Sequence, residues 1–229
     1  MSPIPGAVIR IAVPLFAVFA SGTAAAQGTV AGQVTILERR GERSTDLADA
    51  VVYLEPRGGA ASATPATQQI VMEDRRFSPH VRLVTTGSTV EFPNNDPFRH
   101  NVFSKSGPSE FDLGLYGRGD TRGAPMRRPG VFPIFCNIHS QMVAYVVAVS
   151  TPYHTQASQD GRFEIDQVPA GTYTLRVWHG RGGEHARELQ VPAAGVPDVA
   201  VQLDARGYQF VQHKNKFGQE YSTDSRDRY

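Results

Sequence analysis

Residues 131–149, VFPIFCNIHSQMVAYVVAV, contain two apolar runs that are separated by a short polar loop. The first run ends at Cys136, the loop carries His139 and Met142, and the second run starts at Ala144. Apolar runs of this length on either side of a tight loop predict the two strands of a β-hairpin. The hairpin therefore places one thiol, one imidazole and one thioether at a single corner of the predicted sheet.

The rest of the chain has the same character. Short runs rich in Val, Ile, Phe, Tyr and Thr recur between residues 29 and 203, separated by turn signals such as PNNDP at 93–97 and DG at 160–161. No long window has an apolar period of 3.6 residues, which an amphipathic helix would require. The pattern predicts an all-β fold of the sandwich type.

Composition and charge exclude several classes of protein. The 229 residues include 23 Lys and Arg against 22 Asp and Glu, for a net charge of +1, so the chain lacks the basic character of a nucleic-acid binder. One cysteine excludes a disulfide framework and any site built from several thiolates. The 22 Gly, 16 Pro and 40% apolar residues indicate a turn-rich globular protein.

Residues 1–26 have the pattern of a secretory signal peptide. Arg10 precedes the apolar run IAVPLFAVFA at 11–20, and the small residues at 24–26 form an A-x-A cleavage site. The run is shorter than a bilayer-spanning helix, which argues against the alternative of a membrane anchor. We expect cleavage before Gln27 and export of the mature chain to a bacterial periplasm, with no membrane span.

The residues of the hairpin and one upstream histidine form a candidate metal site. In an exported protein an unpaired thiol such as Cys136 is a liability unless it is buried or bound. His100 follows the PNNDP turn and opens a second strand-like run. Two His, one Cys and a weak axial Met are the ligands of a mononuclear blue-copper site, which serves both Cu(I) and Cu(II). The candidate ligands are therefore His100, Cys136, His139 and Met142, and the candidate cofactor is one type-1-like copper ion.

Residues 77–150 resemble a cupredoxin of the plastocyanin-like kind. The resemblance is carried by FSPH at 77–80, GSTVEF at 87–92, HNVFS at 100–104 and FCNIHSQM at 135–142. It implies a Greek-key β-sandwich with three equatorial copper ligands and one axial ligand, in the order His100, Cys136, His139 and Met142.

The same resemblance assigns one further role and contains one departure. It implies that Asn101, directly after the first ligand, tethers the two ligand loops by hydrogen bonds. Plastocyanin-like loops usually place four residues between the histidine and the methionine, whereas only Ser140 and Gln141 stand there in this chain. The short loop makes the axial role of Met142 the least secure of the ligand assignments.

The flanks resemble a different module, the carboxypeptidase-regulatory-like, prealbumin-type β-sandwich. The similar segments are GTVAGQV at 28–34, ADAVVYLEP at 48–56 and DGRFEIDQVPAGTYTLRVW at 160–178. The whole chain resembles exported bacterial cupredoxin-domain proteins that are often called methylamine-utilisation-like. The predicted organisation is a signal peptide at 1–26, a split carboxypeptidase-regulatory-like sandwich at 27–68 plus 151–205, an inserted cupredoxin domain at 69–150 and a polar tail at 206–229.

These observations favour a periplasmic one-electron carrier whose partner is an unidentified periplasmic redox protein. The alternatives are a protein that binds or buffers copper and a structural cell-envelope module without a redox role. We expect no enzymatic activity, because no acid that would orient His139 as the base of a nucleophilic Cys136 stands out in the sequence. The basic residues of 117–128 are predicted to form a solvated face, or alternatively a docking patch for an acidic partner: Arg118, Arg122, Arg127 and Arg128.

Overall fold

The computed structural model describes residues 27–58, 62–105 and 110–221, so the predicted signal peptide at 1–26 and the last part of the predicted tail, 222–229, lie outside the described residues. The described chain is all-β, as predicted, and within it no helix is long and apolar enough to cross a membrane. In the described ranges, one 3-10 helix is found, at Leu47–Asp49. The strands are β1 (Gln27–Leu37), β2 (Val51–Pro56), β3 (Thr67–Gln69), β4 (Val71–Glu73), β5 (Arg76–Ser78), β6 (Val81–Thr85), β7 (Thr89–Pro93), β8 (His100–Ser104), β9 (Phe111–Tyr116), β10 (Thr121–Pro125), β11 (Gly130–Cys136), β12 (Val143–Val149), β13 (His154–Gln156), β14 (Arg162–Pro169), β15 (Gly171–His179), β16 (Gly183–Val191) and β17 (Val196–Asp204).

The first sandwich is built from the middle of the chain. Its larger sheet has the order β6-β12-β11-β8-β9, and its smaller sheet has the order β10-β7-β3. Apolar side chains of both sheets, Phe92 and Ile134 among them, meet in one buried core that also contains Cys136 and Met142. The candidate ligands therefore lie at the edge of a close-packed core, which holds their strands rigidly.

Strand β12 has both faces covered, which explains its unbroken apolar sequence. Ala144 and Val146 pack into the core of the first sandwich, whereas Val147 and Val149 belong to a separate apolar cluster on the opposite face. That second cluster also contains Val51 of β2, so the larger sheet of the first sandwich packs against the second sandwich.

The second sandwich joins residues that are far apart in sequence. Its sheets have the orders β14-β1-β17 and β13-β2-β15-β16. Strands β2 and β13 pair directly, with His154 opposite Tyr53, and the whole first sandwich lies between them in the sequence. At the contact between the sandwiches the rings of Tyr145 and Trp178 meet edge to face, with centroids 5.2 Å apart.

Candidate metal centre

The candidate ligands come from two neighbouring strand ends and the loop between β11 and β12. Cys136 is the last residue of β11, and it pairs with Val102 of β8, two residues after His100. The loop that follows Cys136 is closed by two main-chain hydrogen bonds. The N–H of Met142 donates to the carbonyl of His139 at 3.0 Å, and the N–H of Cys136 donates to the carbonyl of Met142 at 3.3 Å. This tight turn brings His139 back over the end of β11.

Three donor atoms converge at this end of the first sandwich. The Sγ of Cys136 lies 3.6 Å from the Nδ1 of His100 and 3.6 Å from the Nδ1 of His139. The two Nδ1 atoms are 3.2 Å apart. His100 and Cys136 are fully buried, and His139 is partly buried. Among the residues that the structure describes, only these three form a group of His, Cys and acidic side chains with metal-binding geometry.

The protonation states of the two histidines suit a metal. Burial lowers the pKa of His100 below its ordinary value, although the nearby Asp96 opposes the shift. Burial, together with the charge of His100, lowers the pKa of His139 to about 4. Both imidazoles are therefore neutral at pH 7, and a neutral imidazole nitrogen is the form that binds a metal ion.

Burial and nearby main-chain groups have opposite effects on the pKa of the Cys136 thiol. Burial raises the pKa of Cys136, because a thiolate in an apolar core lacks hydration. The main-chain groups of Ile138, Asn101 and His139 act in the opposite direction and lower the pKa of the thiol. A buried thiol beside two neutral imidazoles matches the ligand set that copper takes in blue-copper proteins. The residues present thus fit one copper ion.

His100 is held from behind by a buried carboxylate. The Nε2 of His100 lies 2.8 Å from the Oδ2 of Asp96, which is 4% exposed. The PNNDP pattern predicts a turn at Asp96 but does not by itself predict this contact. A signal was nevertheless present, because in PNNDPFRH the aspartate stands four residues before the histidine, close enough for a tight turn to bring the two together.

Met142 lies at the end of the ligand loop and is almost fully buried, in the same core cluster as Cys136. Its main chain contacts both Cys136 and His139 through the hydrogen bonds described above. Its axial role stays a prediction.

Asn101 connects the two ligand segments through its main chain. Its carbonyl accepts a hydrogen bond from the N–H of Asn137, the residue after Cys136, at 3.1 Å. Its side-chain amide turns away and donates to Asp112 of β9 at 2.6 Å. The tether implied by the resemblance is therefore present, but the main chain makes it.

An aromatic ring covers the two imidazoles. The ring centroid of Phe98 lies 5.2 Å from that of His100 and 5.6 Å from that of His139. The guanidinium of Arg75 sits over the Phe98 ring, 4.8 Å from its centroid. Phe98 is itself partly exposed, so this ring and His139 form the part of the site that is closest to solvent.

The basic residues of 117–128 do not form one cluster. Because Thr121 of β10 pairs with Pro93 and Pro125 pairs with Thr89, the two ends of β10 lie at opposite ends of the sandwich. Arg118 therefore lies at the end that carries the candidate ligands, whereas Arg127 and Arg128 lie at the other end. The predicted patch is divided by the fold.

Two of the remaining histidines, His179 and His80, have partners of their own. His179 is buried, and its Nδ1 accepts main-chain N–H groups of Arg181 and Gly182 at 3.2 Å each. His80 is half-exposed and lies 2.6 Å from a carboxylate oxygen of Asp49. Both histidines thus have partners that lie outside the candidate metal centre.

The C-terminal segment returns from the second sandwich to the ligand hairpin. The ring of His213 stacks on Phe135, with centroids 4.3 Å apart and an angle of 24°. The N–H of Lys216 donates to the side-chain carbonyl of Asn137 at 2.8 Å, and the hydroxyl of Tyr221 donates to the carbonyl of Cys136 at 2.6 Å. The described part of the predicted polar tail therefore packs against the ligand hairpin.

The chain is similar to cupredoxins of known structure. One is a purple cupredoxin from Nitrosopumilus maritimus, with 22% identity and a TM-score of 0.32, which covers 35% of this chain and 98% of that one. Amicyanin from Paracoccus versutus has 18% identity and a TM-score of 0.34, covering 42% of this chain and 96% of that one. A copper-containing nitrite reductase from Thermus scotoductus has 24% identity and a TM-score of 0.34, covering 50% of this chain and 28% of that one.

One protein-family model matches part of the second half of the chain. It is described as polysaccharide lyase family 4, domain II, and it matches residues 142–194. The matched range begins at the last residue of the ligand loop and contains the whole of β12–β16. The likeness of the flanks to a carboxypeptidase-regulatory-like module stays a prediction. No curated protein matches the chain.

Proposed function

We propose that this chain is a periplasmic copper protein that carries one electron at a time. The observation that supports this most strongly is the convergence of the Cys136 sulfur with the Nδ1 atoms of His100 and His139, all within 4.8 Å. These three residues would hold the ion, and Met142 would be the weak fourth ligand. A bound copper would supply one-electron chemistry between its Cu(I) and Cu(II) states.

The burial of the donors supports a carrier over a protein that delivers or buffers copper. A delivery site needs ligands that another protein can reach, whereas Cys136 and His100 are fully buried. Rigid strand ends also suit electron transfer, because the ligands need not rearrange when the ion changes its charge. The same burial argues against Cys136 as an enzymatic nucleophile, since a substrate has no access to the thiol.

The surface near His139 supports an acidic redox protein as the partner. Arg75, Arg99 and Arg118 are exposed, and within the described part of the chain none of them has an ion pair. The guanidinium of Arg75 lies over the ring of Phe98. The side chain of Arg99 lies next to Gly117, because a Cβ built on that glycine would be 4.0 Å from it. Gly117 directly precedes Arg118 in the chain. Basic residues around the part of a redox site nearest solvent favour encounter with an acidic protein.

The proposal is tested by adding one equivalent of Cu(II) to residues 27–229 and recording visible absorption and electron paramagnetic resonance spectra. We expect an intense thiolate-to-copper band that a reductant bleaches reversibly. The Cys136→Ser variant should lose the band, and the control variant His80→Gln should keep it. A weak spectrum that does not depend on Cys136 would contradict the electron-carrier proposal and favour a loose copper binder or a metal-free module.

A further inference from the structure

We propose that Asp96 is a positioning residue of the metal site, which fixes the tautomer of His100 and couples this ligand to the turn between β4 and β5. The inference rests on the proposed function in its consequences for copper. Its first part, the tautomer, is a property of the metal-free protein and can be tested separately.

The contacts of Asp96 determine which nitrogen of His100 carries the proton. An ionised carboxylate only accepts hydrogen bonds. The Oδ2 of Asp96 lies 2.8 Å from the Nε2 of His100, so Nε2 carries the hydrogen and donates it. The lone pair of the neutral ring is then on Nδ1, the atom that faces Cys136 and His139. A carboxylate behind a ligating histidine is a recognised way to fix its orientation and to raise its basicity.

Asp96 is itself held by main-chain donors. Its Oδ1 accepts the N–H of Asp74 at 2.8 Å, and its Oδ2 accepts the N–H of Arg75 at 3.0 Å. The N–H of Asp96 donates to the side-chain oxygen of Asn94 at 3.0 Å. The carboxylate is almost fully buried. A buried charge must be hydrogen-bonded, and this one accepts three bonds, from the N–H groups of Asp74 and Arg75 and from the Nε2 of His100.

The two donors from the main chain belong to a strained turn. Asp74 and Arg75 connect β4 to β5 and have φ angles of 52° and 56°, the left-handed region that residues with a side chain rarely adopt. Their N–H groups both point to Asp96, so the carboxylate stabilises this turn. This turn also positions the side chain of Arg75 over Phe98, the ring that covers both imidazoles. One carboxylate thus holds a ligand and, through the turn, the group that covers it.

The charge of Asp96 has a predictable effect on copper. A negative charge that hydrogen-bonds to a ligand favours the more positive ion, Cu(II), over Cu(I). Replacing Asp96 with a neutral residue should therefore raise the reduction potential and weaken the binding of Cu(II). The expected loss of Cu(II) affinity is about 10- to 100-fold, the usual effect of removing the hydrogen-bond partner of a ligating histidine.

The experiment compares wild type with Asp96→Asn and with Asp120→Asn, which removes an exposed carboxylate from the same end of the sandwich without touching His100. Long-range nitrogen–proton NMR spectra of the metal-free protein report the His100 tautomer. We expect protonated Nε2 in wild type and in Asp120→Asn, and a mixed or reversed tautomer in Asp96→Asn. Copper titration and voltammetry should then show weaker Cu(II) binding and a higher potential only in Asp96→Asn.

Each outcome decides one statement. Protonated Nδ1 in the wild-type protein overturns the proposal without any variant, so misfolding of Asp96→Asn would not protect it. An unchanged tautomer and unchanged Cu(II) affinity in a folded Asp96→Asn protein also overturn it. If wild type shows the expected tautomer but binds no copper, the proposed function fails while the positioning role of Asp96 stands.

Discussion

The hydroxyl of Tyr221 donates a hydrogen bond of 2.6 Å to the main-chain carbonyl of Cys136, 85 positions earlier in the chain. Together with the stacking of His213 on Phe135 and the bond from Lys216 to Asn137, it fastens the C-terminal segment to the strand that ends at the candidate ligand. The segment follows β17 of the second sandwich, so it adds a further connection to those that β2–β3 and β12–β13 make between the two sandwiches.

We expect Tyr221→Phe to destabilise the protein by about 1 kcal/mol, the usual net contribution of one hydrogen bond. The carbonyl of Cys136 would lose its donor while the aromatic ring is kept. Chemical denaturation of the metal-free protein measures the change. The control is Tyr153→Phe, because no hydrogen bond of the Tyr153 hydroxyl is found in the described residues. Equal stability of Tyr221→Phe and wild type would show that the contact does not contribute to folding.

A second prediction concerns Met142. Met142→Leu conserves volume in a buried core, so the fold should be retained at a cost below about 1.5 kcal/mol. If the thioether is a weak axial ligand, the copper-loaded variant should keep its thiolate band, shift its position and gain a higher reduction potential. Met126→Leu is the matched control, since Met126 is buried in the same core and follows β10 at the opposite end of the sandwich. Identical spectra and potentials in both variants would exclude the axial role.

The extent to which the sequence predicted this site depends on the separation of the residues involved. The hairpin of β11 and β12 follows from residues 131–149, because apolar strands and a six-residue loop are local features. Placing His100 beside that hairpin required a resemblance to a known fold, since no local rule brings together residues 36 positions apart.

Three features depend on the folded chain more than on any local sequence pattern. An aspartate in a turn is ordinary, and only the folded chain shows that Asp96 contacts His100 rather than solvent. The docking of Tyr221 depends on the packing of two sandwiches, which neither sandwich specifies alone. The division of the arginines is of the same kind, because it follows from the antiparallel register of β7 and β10.

A third prediction concerns the stability of the metal-free protein at acidic pH. The pKa of His139 is lowered to about 4 in the folded state, against about 6.5 for an unfolded histidine. Between these two pH values the unfolded chain binds more protons than the folded protein. The contribution of the neutral His139 to stability is therefore fully present above pH 6.5 and is lost as the pH falls towards 4. In the presence of a chelator, the free energy of unfolding of wild type should fall more steeply over this window than that of His139→Gln. Parallel curves would show that His139 is not shielded from protonation.

The last prediction concerns the basic surface at the candidate site. Arg75, Arg99 and Arg118 lie at the end where His139 and Phe98 approach solvent, so their charges attract anions to that end. For the copper-loaded protein, hexacyanoferrate is a suitable anionic probe of electron exchange. Replacing the three arginines with glutamine should lower the second-order rate constant about 10-fold at low salt, with a weaker dependence on ionic strength.

The fold itself supplies the control for that experiment. Arg127→Gln with Arg128→Gln removes like charges from the opposite end of the same sandwich, and this variant should exchange electrons at nearly the wild-type rate. Stopped-flow measurements at several salt concentrations separate the two variants. If both sets slow the reaction equally, net charge governs the rate and no particular face is used. If only the set near His139 slows it, electrons enter at the end of the sandwich where that ligand lies closest to solvent.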